Sequence, residues 1–193
     1  ILQDDVRQST HRGKLLFTHF GISGPGVLNM SNEVRERLQY GIVTIVADLI
    51  PDKDHKQVDT MLLELLKGDI NKKFKNITTR AVPNAIVQTL GKIAGIDPET
   101  PCHSIPRELR LAFVQLLKAF PLHVTGTLGL EKAVITSGGV ILKEVDFKTM
   151  RSRIVPNLSF TGDILNITRP TGGYGLQLCW TTASVAGKHA LLK

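Results

Sequence analysis

Between residues 54 and 120 the apolar side chains recur at helical spacing, and on either side they recur at strand spacing. A chain with this pattern has to place a helical block inside a β unit. Val58, Met61, Leu62, Leu65 and Leu66 fall at i, i+3, i+4, i+7 and i+8, one face of an amphipathic helix. Ile86, Leu90 and Ile93 repeat the pattern after Pro83, which suits a first turn. Leu109, Ala112, Phe113, Leu116, Leu117 and Phe120 predict the strongest helix, with Ser104 as N-cap and Pro106 just inside.

Ahead of this block, residues 14–19 and 42–50 predict strands, the second largely buried and ended by Pro51. Between them Phe20-Gly21-Ile22-Ser23-Gly24-Pro25-Gly26 requires a sharply turning backbone, and residues 27–37 predict a helix. After Pro121, Leu122, Val124 and Leu128 alternate with His123, Thr125 and Thr127. Ala133-Val134-Ile135-Thr136 and residues 140–145 follow, split by Ser137-Gly138-Gly139, and together these predict antiparallel strands with tight turns.

Composition narrows the class. The apolar fraction is 42% and the charged fraction 21%, ordinary for a globular protein. No apolar run approaches the ~18 residues of a membrane span, and no charged-then-apolar leader opens the chain. It opens on Ile1-Leu2-Gln3 without a methionine, so a piece of something longer is expected. Cys102 and Cys179 are far apart, which predicts two reduced thiols in a cytoplasmic protein, with neither a disulfide framework nor a metal site. The net charge of +7 raises a nucleic-acid hypothesis, but it is spread over residues 51–193, and the cluster Lys72-Lys73-Phe74-Lys75 has one aromatic. A solvated basic face is expected, and no nucleic-acid or membrane partner.

The last segment follows neither pattern. Leu158-Ser159-Phe160-Thr161 predicts a strand ending at Gly162-Asp163, then a glycine-rich loop, then a helix of small residues over 181–192. One strand and one helix do not make a sheet, so a partner is expected. Asp163 at a strand end either accepts from a sugar hydroxyl or bonds its own turn. Thr171-Gly172-Gly173-Tyr174-Gly175 either lets a ligand approach the main chain at a helix start or is an ordinary glycine loop. His19 beside Gly21 is either a donor to a ligand or a structural histidine. Ser23 lacks the G-x-S-x-G elbow of a hydrolase, and neither G-x-G-x-x-G nor a Walker A loop is present. No side chain stands out as a catalytic acid, base or nucleophile.

Three stretches in order, Leu16-Phe17-Thr18-His19-Phe20-Gly21-Ile22-Ser23-Gly24-Pro25, Thr136-Ser137-Gly138-Gly139-Val140, and Asn157-Leu158-Ser159-Phe160-Thr161-Gly162-Asp163 closing on Pro170-Thr171-Gly172-Gly173-Tyr174, resemble one family. It is the bacterial BaiN/aminoacetone-oxidase-like group of NAD(P)- and FAD-dependent oxidoreductases. The resemblance implies an α+β chain: a β-barrel-like domain (1–52 and 121–148), an inserted helical domain (53–120), and the C-terminal piece (149–193) of an incomplete FAD-binding α/β domain. The missing partner is then the N-terminal FAD-binding segment that carries the pyrophosphate loop.

By the same resemblance Gly162 and Asp163 would sit near the ribityl phosphate of FAD, where the family usually has Glu in place of Asp163. Thr171, Gly172, Gly173, Tyr174 and Gly175 would lie against the isoalloxazine. Thr18, His19, Gly21, Ser23 and Gly24 would line the substrate side. The intact protein would run flavin redox chemistry with NAD(P)H or a small organic substrate, and this chain alone would be inactive. The alternatives are a non-catalytic partner-binding module and a basic nucleic-acid-binding domain.

Overall fold

Residues 1–68, 72–76, 82–134 and 137–190 are described in a computed structural model of the chain. In chain order come strands β1 (Leu2–Gln3), β2 (Val6–Arg7), β3 (Leu16–Thr18) and β4 (Gly21–Ser23), then helix α1 (Pro25–Arg37) and strand β5 (Val43–Ala47). Helices α2 (His55–Gly68), α3 (Asn84–Ile93) and α4 (Arg107–Lys118) follow. The chain ends through β6 (Phe120–Val124), β7 (Val145–Asp146), β8 (Arg151–Ser152) and α5 (Tyr174–Ala190). It divides into two compact units, one of residues 1–8 and 42–124, the other of residues 9–41 and 125–193.

The first unit is an antiparallel sheet in the order β2-β1-β5-β6 with the helical block inserted between β5 and β6. Val43 pairs with Val124 and Ala47 with Phe120, so the strands on either side of the insertion are neighbours, as the change of period requires. Val43, Thr44 and Ile45 are buried and Val46 is exposed, so the ladder is less buried than its sequence suggests. Lys118 closes the insertion, donating to Asp48 Oδ2 at 2.6 Å and to the Ile50 carbonyl at 2.9 Å. The helices pack most of their predicted stripes into one core that includes Val58, Leu62, Leu90, Phe113 and Leu117, with Phe74 added to it, whereas Ile93 and Ala112 of those stripes face out. Arg110 Nε reaches Asp59 Oδ1 at 2.7 Å and ties α4 to α2. Pro106, not Ser104, caps α4, because Ser104 closes a separate 3-10 turn over Cys102–Ser104.

In the second unit β3 and β4 form a hairpin in register Leu16↔Ser23 and Thr18↔Gly21, and the chain passes from it into α1. Its small core is Val145, Met150 and Leu165, with Phe160, Ile167 and Val185 packed against it. α5 buries Thr182 alone among its described side chains, and Leu176 and Trp180 are 62% and 66% exposed.

Three expectations are corrected here. Residues 125–134 contain no strand, since Leu128, Leu130 and Val134 all face out instead of alternating; Ile135 and Thr136 lie outside the described residues. Residues 140–145 give a single parallel bridge at Val140, a 3-10 turn over Leu142–Glu144, and only then the start of β7. The strand at 158–161 is one bridge, Ser159 to Arg151, with left-handed residues just before each bridge partner, Met150 (φ 61°) and Asn157 (φ 62°). The architecture is α+β with antiparallel sheets, and no sheet closes into a barrel among the described residues.

Within the second unit, Glu33 of α1 accepts from His11 and Arg37, each at 2.8 Å. Partial burial raises its carboxyl, but hydrogen bonds from Ser9, Arg37 and His11 outweigh that and hold it at about 2. A depressed carboxyl adds stability above its unfolded pKa and loses it as pH falls through the folded one. Glu33→Gln should therefore cost about 1 kcal/mol at neutral pH, after allowance for solvent screening, and only a small fraction of that at about pH 2. Urea midpoints of both proteins at the two pH values check this; an equal difference at both refutes it.

Candidate functional site

The three stretches that carry the resemblance converge in the second unit, and α1 is what joins them. Asn29 Oδ1 accepts from both the N–H (2.8 Å) and the hydroxyl (3.0 Å) of Thr171. One turn on, Asn32 Oδ1 accepts from Ser137 Oγ at 3.3 Å. Val140 N–H donates to the Ile164 carbonyl at 2.8 Å, and Asn166 N–H returns to Val140 at 3.2 Å. Gly139 sits so close to Ile164 that a Cβ there would overlap the carbonyl group. Helix α1, the Ser137-Gly138-Gly139 loop and the approach to α5 are thus bound to one another.

Gly172 (φ 105°) and Gly173 (φ 94°) turn the chain into α5 through left-handed backbone, with open space where a side chain would stand. Gln177 N–H closes the first helical bond on the Gly173 carbonyl at 3.1 Å. The N–H groups of Tyr174, Gly175 and Leu176 then have no intrahelical acceptor, and the helix dipole adds partial positive charge beside them. Tyr174 is exposed at this opening.

Gly162 and Asp163 lie in a 3-10 turn packed on α5. The Gly162 N–H is not free: it donates to Thr182 Oγ1 at 2.9 Å, and Thr182 donates to the Leu178 carbonyl at 2.7 Å. Asp163 forms an ion pair with Arg169 through Oδ1, which also lies 3.9 Å from the Cys179 thiol. The Asp163 side chain is 67% exposed and that of Arg169 only 8%. Arg169 donates from Nη1 to the Ile167 carbonyl at 2.9 Å, but its buried Nε has no partner. A Cβ at Gly175 would stand 3.2 Å from that Nε, so the guanidinium lies against the first turn of α5.

On the hairpin, Thr18 Oγ1 donates to the Gly21 carbonyl at 3.1 Å. His19 and Phe20 form its exposed tip, their rings edge-on at 5.0 Å. Ser23 is half-buried, and Gly24 lies so near the Lys14 carbonyl that a Cβ would come within 2.8 Å of it. Reading the sequence missed Asn29, Asn32, Arg169 and Thr182. Two asparagines at i, i+3 behind a glycine turn were a usable signal, whereas nothing in sequence marked Arg169 as the partner of Asp163. Among the described residues no three His, Cys, Asp or Glu side chains are placed to hold a metal ion. No described helix is long and apolar enough to cross a membrane.

Residues 2–135 match the model of the HI0933-like protein barrel and H2TH domain. The chain belongs to that family. It is 33% identical to a ribosomal RNA dihydrouridine synthase of Escherichia coli over 172 residues, 89% of this chain and 41% of that protein. It is 31% identical to a ribosomal RNA dihydrouridine synthase of Haemophilus influenzae over 170 residues, 88% of this chain and 40% of that one. A 3-dehydro-bile acid delta(4,6)-reductase of Clostridium scindens is 26% identical over 179 residues, 92% of this chain and 44% of that one. The chain therefore spans about two fifths of the length of these relatives. Membership in the HI0933-like family and the similarity to a reductase support a flavoprotein-related domain, the class to which the motifs pointed.

Proposed function

We propose that this HI0933-like chain is the part of a flavin-dependent reductase that closes over the isoalloxazine and ribityl portions of FAD. The opening of α5 carries this reading: two left-handed glycines with empty space beside them lead into N–H groups without intrahelical acceptors. Such a helix start favours partial negative charge, as on the carbonyl edge of a flavin. The residues fit such a group. The charge of Arg169 is already balanced by Asp163, which suits a neutral ring, and the exposed Asp163 carboxylate remains within reach of a hydroxylated chain. When bound, the flavin would supply the hydride, with NAD(P)H as the reductant. This chain's own residues would hold and orient it: Thr171 to Gly175 from below, Asp163 at the ribityl side, and Thr18, His19, Gly21, Ser23 and Gly24 on the substrate side.

The named activities of the relatives share one chemistry. Turning uridine into dihydrouridine and removing a delta(4,6) unsaturation from a 3-dehydro-bile acid both add two hydrogens to a carbon–carbon double bond conjugated with a carbonyl. The substrate class proposed here is accordingly a conjugated unsaturated carbonyl. A uracil ring in RNA is favoured over a small organic molecule by the two relatives of higher identity.

The chain is further proposed not to hold FAD firmly until a segment carrying a pyrophosphate loop is joined to it. Leu176 and Trp180 stand one turn apart on the exposed face of α5 and offer that segment an apolar seat. The sole tryptophan, Trp180, reports on this directly. Purified alone, the chain should be colourless. Co-expressed with the remaining length of the Escherichia coli relative, it should yield a yellow complex with one flavin per chain and blue-shifted Trp180 emission. Stoichiometric flavin on the chain alone overturns the incomplete site, and a colourless stable complex overturns the flavin assignment.

A further inference from the structure

The helical block holds a lysine clamp on a fixed backbone. Phe74 is buried with its ring edge-on to Phe113 at 5.4 Å, and it pins the stretch 72–76 in place. Three main-chain bonds tie that stretch to residues 98–102: Phe74 N–H to Thr100 O (2.9 Å), Lys75 N–H to Pro98 O (3.0 Å) and Cys102 N–H to Lys72 O (3.0 Å). Gln88 of α3 also donates to the Lys75 carbonyl at 3.2 Å. Lys73 and Lys75 flank the buried ring and are 51% and 41% exposed. Their ammonium groups grip one carboxylate, with Lys73 Nζ 2.7 Å from Glu99 Oε2 and Lys75 Nζ 2.6 Å from Oε1. The Glu99 N–H is itself held by Asp97 Oδ1 at 2.9 Å. Lys72 adjoins the clamp, and Lys92 lies one turn beyond Gln88 on α3.

We propose that this clamp is a phosphodiester site for an RNA substrate, in which a backbone phosphate takes the place that Glu99 fills in the free protein. The inference rests on the RNA reading above. A carboxylate and a phosphodiester each present two anionic oxygens, and lysine binds phosphate as a mobile point charge. Exposed ion pairs contribute little to stability, so surrendering Glu99 is cheap, while each lysine placed on a phosphate releases counterions. Lys72, Lys73 and Lys75 are a cluster already in the sequence, and the fold adds Lys92 and Glu99 to their neighbourhood.

The test is anisotropy of fluorescein-labelled polyuridylate with this chain across a KCl series. Lys73→Gln with Lys75→Gln should weaken binding about tenfold at low salt and reduce the slope of log Kobs against log salt by about 1.4, two contacts at about 0.7 each on a single strand. Glu99→Gln should tighten binding roughly fivefold by freeing both lysines. An unchanged urea midpoint for each variant separates these effects from a damaged fold. Failure of Glu99→Gln to tighten binding, or an unchanged slope in the lysine variant, overturns the proposal. Steep salt dependence that neither change alters leaves the RNA reading standing with the wrong surface. A flat wild-type response overturns the surface, and dihydrouridine formation by the completed enzyme then decides the RNA reading on its own.

Discussion

Gly139→Ala is expected to cost the second unit about 4 kcal/mol, near the upper end for a single substitution. Two effects combine. The backbone at Gly139 has φ 127°, where an L side chain is strained. A Cβ there would also stand 3.0 Å from the Ile164 carbonyl carbon and on top of its oxygen. Relief of that clash separates the two segments and breaks the bonds from Val140 N–H to Ile164 and from Asn166 N–H to Val140. Gly138 supplies the control, since it has φ 107° with nothing within 4 Å of a Cβ. Gly138→Ala should show the backbone penalty alone, about 1–2 kcal/mol. Hydrogen exchange at Val140 and Asn166 reads both variants; equal loss of protection would dismiss the close approach as the cause.

Phe74→Ala should cost the first unit about 4 kcal/mol, the usual range for emptying a buried aromatic site. Its ring packs on Phe113 and lies over Gly91, where a Cβ would stand 2.8 Å from Cζ and nearer still to Cε1. Gly91→Ala in the wild-type background should therefore cost about 2 kcal/mol by overpacking. With Phe74 already truncated, the same change should stabilise by about 0.5–1 kcal/mol, because alanine is the better helix former and the clash is gone. A double-mutant cycle by urea denaturation measures this reversal of sign. Additive effects would mean that the ring does not press on Gly91.

The helical block was legible because its stripes are long and periodic. Val58, Leu62, Leu90, Phe113 and Leu117 sit in one core, as their spacing requires. The strand at Leu122 and Val124 was legible too, but what followed Val124 was not, since Leu128 and Val134, expected in strands, face outward. Composition reports the preference of a residue, whereas a ladder also needs a partner strand at the right height. The site divides in the same way. Its glycines were visible because left-handed backbone selects glycine, as Gly172 and Gly173 show. The contacts that organise it were hidden, because Asn29 meets Thr171 across 142 residues and no local pattern records such a pairing.

That separation also sets the order of assembly. The helices of the first unit meet within one stretch of chain, between His55 and Lys118. Residues 9–41, by contrast, are synthesised long before their partners beyond residue 124 exist. Distant contacts close slowly, and domains emerging from the ribosome fold from the N-terminus forward. The helical block therefore gains its structure while the β3–β4 hairpin and α1 still wait. A chain interrupted soon after Val124 would hold the folded helical block while residues 9–41 still lacked the segments they pack against.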